Sequence, residues 1–119
     1  ADGVHLGAEI AALFEEPVWA EVYAACCMDT SEAVHLEKAR NFRDALAAQN
    51  PDFPPDRLSL RCLRIGAAAV SCLAMQLQDR TYTHVDLGSN QLCDHAMLSV
   101  RTFVHALPGL QWLGLAGNQ

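Results

Sequence analysis

Histidine and cysteine are the residue types in this sequence that could bind a metal ion or pair as a nucleophile and its base. The chain carries five of each, namely His5, His35, His84, His95, His105, Cys26, Cys27, Cys62, Cys72 and Cys93. Zinc sites normally show a Cys-x-x-Cys pair, or two histidines four positions apart with a glutamate between them. Neither spacing occurs here. We therefore expect no metal site and no Cys–His nucleophile.

The cysteines also bear on the redox compartment. An odd number of cysteines, two of them adjacent, is typical of reduced thiols in an intracellular protein. Cys62, Cys72 and Cys93 stand where small apolar residues are expected. We predict that these three are buried and behave as small hydrophobic side chains.

Carboxylates and glycines lack the arrangement that catalysis requires. Glu15, Glu16 and Glu21 lie on segments with helical patterning and polar faces, which indicates solvated charge rather than an acid–base pair. The glycines are scattered and form no phosphate-binding loop. We therefore predict a protein that is not an enzyme and uses no cofactor.

Charge and hydropathy exclude two classes of partner. The chain has 14 acidic residues against 8 basic ones, a formal net charge of −6, which disfavours a surface that neutralises phosphates, so we expect no nucleic-acid partner. No run of about 18 apolar residues is present, so no membrane span is predicted. The first 37 residues contain no Lys or Arg and so lack the basic start of a signal peptide.

The first part of the sequence has helical periodicity. Apolar residues recur at helical spacing from residue 7 to residue 49, which predicts three short helices. Pro17 fits the first turn of the second helix. Asp29 and Glu32 have the spacing of a capping box, which predicts that the third helix begins near Thr30 and carries His35 on its apolar face.

A proline-rich segment divides the chain. Residues 50–56 contain three prolines and cannot form a helix. Helical patterning precedes this segment, and strand-like and helical segments alternate after it. We therefore predict a helical N-terminal region with a proline-rich connector at 1–56, and a second region at 57–119.

A sequence frame recurs three times in the second region. Its copies are Leu58-Ser59-Leu60-x-x-Leu63-x-Ile65, Tyr82-x-x-Val85-Asp86-Leu87-x-x-Asn90-x-Leu92 and Leu110-x-x-Leu113-Gly114-Leu115-x-x-Asn118. From position 58 to 85 and from 85 to 113, the copies are displaced by 27 and 28 residues. This frame resembles the leucine-rich repeat, and its length resembles the ribonuclease-inhibitor-like class of that family. The first copy departs from the frame because it has Leu63 where the others have asparagine.

The resemblance covers about half of the chain. It implies an α/β fold, a leucine-rich-repeat solenoid of parallel strands with crossover helices, preceded by an α-helical N-terminal cap. The region 57–119 would hold about two complete repeats and the start of a third. The helices are expected at residues 67–78 and 94–107, and they would cover the strands with Val70, Leu73, Leu77, Met97, Val100 and Val104.

Alternation within each copy predicts which side chains face the core. One face of each strand carries the inward pairs, Leu58 with Leu60, Val85 with Leu87, and Leu113 with Leu115. Asn90 and Asn118 are predicted to satisfy backbone groups of the turn with their side-chain amides. The alternative is that both are exposed turn residues, a common position for asparagine.

The opposite face of the strands is the candidate binding surface, which we call the sheet face. It is expected to present Arg57, Ser59, Arg61, His84, Asp86, Gly88, Trp112, Gly114 and Ala116, of which Arg57, Arg61, His84, Asp86 and Trp112 are the candidate partner-binding residues. Trp112 is either an interface anchor or a side chain that packs on a following segment. Arg57 and Arg61 pair either with acidic groups of a partner or, weakly, within the chain.

The sequence stops just after Asn118, with no helix to cover Leu113 and Leu115. This predicts either a piece of a longer repeat protein or an apolar edge that is buried in an oligomer.

The resemblance implies a function in binding. We expect an intracellular scaffold in the cytoplasm that binds another protein through the sheet face, which would be the concave face of the solenoid. The sequence also resembles repeat proteins of the cytoskeleton and the cilium. Two alternatives are a regulator of a small GTPase, of the activating type, and a module of an innate-immune sensor. A GTPase-stimulation assay would distinguish the first alternative from a scaffold.

Overall fold

The chain alternates helices with short strands after an all-helical beginning. A computed structural model describes the backbone of residues 2–118 and the side chains of residues 5–118, so that Ala1 and Gln119, the outer limits of the two predicted regions, lie outside the described residues. The elements are α1 Asp2–Ala11, α2 Pro17–Asp29, α3 Leu36–Gln49, β1 Arg57–Ser59, α4 Ala67–Gln76, β2 His84–Asp86, a 3-10 turn Asp94–Ala96, α5 Met97–Ala106 and β3 Trp112–Gly114. Within these residues, no helix is long and apolar enough to cross a membrane.

The three strands form one parallel sheet in the order β1-β2-β3. Its register aligns Arg57 with His84 and His84 with Trp112, and in the next row Leu58 with Val85 and Val85 with Leu113. Parallel neighbours need a long crossover, which α4 and α5 provide. One face of the sheet is therefore covered by helices, and the other is left open.

The predicted leucine-rich-repeat solenoid is wrong. A solenoid stacks units that contact only their neighbours. Residues 2–118 instead form a compact unit of 43 × 31 × 22 Å, in which five α-helices hold about half of the residues and the strands have three residues each. A single apolar core extends from Ile10 to Leu107 and joins the N-terminal helices to the helices of the sheet. The physical reason is that α2 packs beside α4, within the same layer and core.

The start of the third helix differs from the capping-box prediction. Helix α3 begins at Leu36, and its N-cap is the exposed His35, whose Nδ1 accepts from the Glu37 N–H at 3.2 Å. Asp29 caps α4 instead. Its carboxylate accepts from the backbone N–H groups of residues 66, 68 and 69 at 2.8–2.9 Å. A capping residue was therefore assigned to the nearest helix in sequence, whereas it serves a helix that begins 38 positions later.

The apolar side of α5 also differs from the prediction. Phe103 is fully buried, whereas Met97 and Val104, which we expected to cover the strand, are 40% and 41% exposed. The 3-10 turn before α5 changes the angular phase of the helix, because its residues advance by 120° rather than 100°. The covering residues are consequently Ala96, Val100 and Phe103.

Candidate functional site

Trp112 is the most prominent side chain of the sheet face. It is 49% exposed, and its indole stacks on the imidazole of His84, with ring centroids 6.2 Å apart and planes inclined by 27°. The ring also lies over Gly114, where an added Cβ would come within 2.5 Å of Trp112 Cη2. A glycine at this position gives the indole room to lie along the sheet. Trp112 is thus held in place and remains accessible on its outer side.

Hydrogen bonds restrain the orientation of the His84 ring. Its Nδ1 lies 2.9 Å from the hydroxyl of Thr83, which in turn donates to the backbone carbonyl of Asp56 at 3.1 Å. The hydroxyl hydrogen is therefore committed to Asp56, so the hydroxyl oxygen is free to accept from His84. This chain of hydrogen bonds restrains the ring on which Trp112 stacks.

Arg61 and Asp86 form an ion pair across the sheet face. Arg61 Nη1 lies 3.2 and 3.3 Å from the carboxylate oxygens of Asp86, and Nη2 donates to the Ser89 hydroxyl at 3.2 Å. The guanidinium lies over Gly88, where a Cβ would approach Nη1 to 2.3 Å. Asp86 also accepts from the Gly88 N–H at 2.8 Å. Arg61 is therefore held within the chain, the second of the two roles that the sequence left open for it.

Arg57 differs from Arg61. It is exposed, and it makes no ion pair within 4.0 Å with any residue that the structure describes. It lies beside a cavity of about 310 Å³ that is bounded by the sheet face, by the end of α3 and by the connector. His84, Asp86 and Trp112 border the same cavity. The structure thus brings four of the five candidate partner-binding residues together around one groove, and Arg61 contacts it through Asp86.

One wall of this groove consists of two amide side chains that the sequence did not point to. Gln49 Oε1 accepts from the Ser59 hydroxyl and from the Arg61 N–H, both at 2.7 Å. Asn50, which is only 3% exposed, accepts from the Ser59 N–H at 2.7 Å and donates to the Ser59 carbonyl at 2.8 Å. These two amides take the place of a neighbouring strand along the free edge of β1. The signal in the sequence was the pair of adjacent amide side chains, Gln49 and Asn50, at the start of the proline-rich segment.

The inward pairs differ in burial along the sheet. Leu58 and Leu60 are at most 3% exposed, and Val85 and Leu87 are completely buried. Leu113 and Leu115 are only partly buried. Strand β3 has a neighbour on one side alone, so its apolar side chains have less cover than those of β2.

Two asparagines hold the turns that follow the strands. Asn90 Oδ1 accepts from the N–H groups of Leu63 and Ile65 at 2.9 and 3.1 Å, and its Nδ2 donates to the carbonyl of Leu60 at 2.8 Å. Asn118 Oδ1 accepts from the N–H of Asn90 at 3.1 Å and also from the N–H of residue 92. The two side chains bond backbone groups that belong to no regular ladder.

One Cys–His contact occurs that spacing did not predict. Cys93 Sγ lies 2.8 Å from His95 Nδ1, at an exposed position beside the 3-10 turn. Among the described residues, no carboxylate forms a hydrogen bond with this imidazole. The described residues also contain no group of three or more metal-ligating side chains. Cys62 is exposed rather than buried, and it has a left-handed φ of 58° in the turn that follows β1. Cys72 and Cys93 are half-buried.

Burial and hydrogen bonds change the pKa values of three ionisable groups in or near α2. Burial, followed by a hydrogen bond with Cys27, raises the pKa of Tyr23 to about 12. Burial also raises the pKa of Cys26 far above its usual range. Hydrogen bonds from Lys38 and Thr30 lower the pKa of Glu32. With its raised pKa, the buried Cys26 thiol is protonated at physiological pH, which disfavours its use as a nucleophile.

Comparisons with known proteins give no family assignment. Protein-family models, curated proteins and solved structures yield no match to this chain.

Proposed function

We propose that this protein binds another protein through the sheet face, with Trp112 as the anchor, and that it has no catalytic activity of its own. One observation carries the proposal: the Trp112 indole is half-exposed although it is already stacked on His84 and seated over Gly114. A large aromatic side chain that is fixed before binding loses little conformational entropy when a partner covers it.

The surroundings of Trp112 support a protein partner. The groove beside it, of about 310 Å³, is lined by both apolar and polar groups. Arg57 offers an unpaired guanidinium at its border, whereas the charge of Asp86 is balanced by Arg61. An aromatic anchor next to an arginine, with a polar rim, is the composition typical of interface centres.

Paired variants can test this assignment. Trp112→Ala and Arg57→Glu are compared with Met75→Ala, which removes an exposed apolar side chain from α4, at 75% exposure against 49% for Trp112. We avoid charge reversal of Arg61, because a glutamate there would face Asp86. A partner isolated with the wild-type protein should bind Met75→Ala normally and Trp112→Ala about 30-fold more weakly. Equal binding by all the variants would reject the sheet face as the interface.

We also propose an intracellular location. The support comes from the five cysteines, none of which forms a disulfide, although Cys26 and Cys27 are adjacent and buried and Cys62 is exposed. Secreted proteins of this size normally use paired cysteines as cross-links. A fluorescent fusion that entered the secretory pathway would contradict this proposal.

A second proposal is self-association through the edge of β3. An open parallel edge strand can pair with a strand of another chain. The partial exposure of Leu113 and Leu115, beside the fully buried Val85 and Leu87, favours this contact. Light scattering should show dimers at high concentration that Leu115→Lys abolishes. A monomer throughout the concentration range would refute the proposal.

A further inference from the structure

A second groove lies away from the sheet face. It has a volume of about 510 Å³ and lies between the α1–α2 connection, α2, the C-terminal half of α3 and the start of the proline-rich connector. We call it the aromatic groove, and its apolar lining is Leu13, Phe14, Trp19, Leu46, Ala47 and Phe53. It shares no residue with the groove beside Trp112.

Phe53 is held over this groove by an unusual backbone. Asp52 and Phe53 both have left-handed φ values, 60° and 42°, in a turn closed by a hydrogen bond from the Phe53 N–H to the Asn50 carbonyl at 2.9 Å. Bulky residues rarely adopt this conformation, and strain of this kind concentrates at functional positions. The result is a phenyl ring 6.4 Å from the buried indole of Trp19 that nevertheless remains 41% exposed.

The rim of the aromatic groove has a surplus of negative charge. It carries Glu15, Glu16 and Asp52 against a single cation, Arg43. Arg43 is already paired with Asp44 at 3.0 Å, outside the groove lining, and Glu16 is paired with Arg80 at 3.1 Å. Within the part of the chain that the structure describes, Glu15 and Asp52 make no ion pair. Two exposed carboxylates that have no ion-pair partner among the described residues thus flank an aromatic surface.

We propose that the aromatic groove binds a short basic segment of a partner protein. An arginine or lysine of that segment packs its aliphatic stem on Phe53 and places its cation near Asp52 and Glu15. The stem buries apolar surface against the phenyl ring, while the charged end is attracted by the two carboxylates. The net charge of −6 favours the approach of such a segment. This inference goes beyond the sheet-face proposal and does not depend on it.

The charge requirement can be measured with designed peptides. The probes are a fluorescein-labelled amphipathic peptide that carries leucine and arginine, and the same peptide with citrulline in place of arginine. The double variant Glu15→Gln with Asp52→Asn should bind the arginine peptide about tenfold more weakly than the wild-type protein does. The wild-type protein should bind the citrulline peptide with a similarly reduced affinity. The matched control is Glu21→Gln with Asp79→Asn. Both control residues are exposed, and Asp79 has a left-handed φ of 64°, close to that of Asp52.

The contribution of the Phe53 ring to binding must be tested with a variant that still folds. Phe53→Gly removes the ring at a position where glycine is the preferred residue, so its thermal midpoint should not fall much, whereas its affinity for the arginine peptide should drop at least tenfold. Trp112→Ala should bind the same peptide as the wild type does, because Trp112 does not line this groove.

Several results would overturn the proposal. These are equal binding of the citrulline and arginine peptides, unchanged affinity in the Glu15 and Asp52 double variant, or the absence of any binding. Self-association that Phe53→Gly abolishes would assign the groove to a second copy of the chain. Displacement of the peptide by spermidine at equal concentration would assign it to a free polyamine.

Discussion

Replacement of Asn90 by alanine should remove a large part of the stability of this protein. The side chain is 7% exposed and bonds the N–H groups of Leu63 and Ile65 and the carbonyl of Leu60, which have no other partner among the described residues. The carbonyl of Leu87 also accepts from Asn90 but keeps its bond from Asn118. Three buried backbone groups are therefore left without a partner.

The cost can be worked out from these groups. Each unsatisfied buried group costs about 1–3 kcal/mol, and partial entry of water keeps the sum near the low end, so we expect about 3–4 kcal/mol. With a denaturant dependence of roughly 1.5 kcal/mol/M, the urea midpoint should fall by about 2 M. Asn118→Ala is the matched control, because the Asn118 side chain also accepts from two backbone N–H groups, but at a half-buried position that water can reach. It should lose about 1–2 kcal/mol. A loss below about 1 kcal/mol for Asn90→Ala, or equal losses for the two variants, would refute this reasoning.

Three further results are expected. Asp29→Ala removes the acceptor for three N–H groups at the start of α4, so it should cost about 2 kcal/mol and lower the thermal midpoint by about 8 °C in calorimetry; an unchanged midpoint would contradict the capping role. The pKa of Glu32 is lowered by hydrogen bonds from Lys38 and Thr30, so its contribution to stability is present above the usual carboxyl pKa and is lost as the pH falls through the folded value. Wild type and Glu32→Gln should therefore differ in midpoint at neutral pH and converge in acid, and a difference that persists in acid would count against this. Among the thiols, the exposed Cys62 should react with a maleimide well before Cys26, which is buried and has a raised pKa; mass spectrometry of the labelled peptides gives the order, and prior labelling of Cys26 would show that α2 opens readily.

The sequence was informative where a pattern is local. Alternation of apolar and polar residues around Val85 determines which side chains can face a core, because the period of a strand is two wherever the strand lies. Pro17 stands in the first turn of α2, as a residue without an N–H should. The same local reasoning located Trp112 on the open side of the sheet, since it precedes the inward Leu113.

The features that the sequence did not predict correctly depend on contacts between residues that are distant in sequence. The repeat frame predicted a solenoid, but spacing does not report that α2 packs against α4 and merges the two regions into one core. Asp29 was assigned to a nearby helix, because the capping box is a local motif and α4 is not adjacent in sequence. The groove wall at Gln49 and Asn50 was missed for the same reason, since its hydrogen bonds join α3 to β1 across the connector.

Photocrosslinking in cells tests the central claim most directly, that the sheet face around Trp112 is a protein-binding surface. A benzoylphenylalanine residue is placed at position 116 of the sheet face, which leaves Trp112 in place, in one sample and at position 75, on α4, in another. Both positions are exposed in the native protein. We expect a discrete adduct with one partner protein from position 116 and none from position 75. No adduct at position 116, or the same adducts from both positions, would contradict this claim.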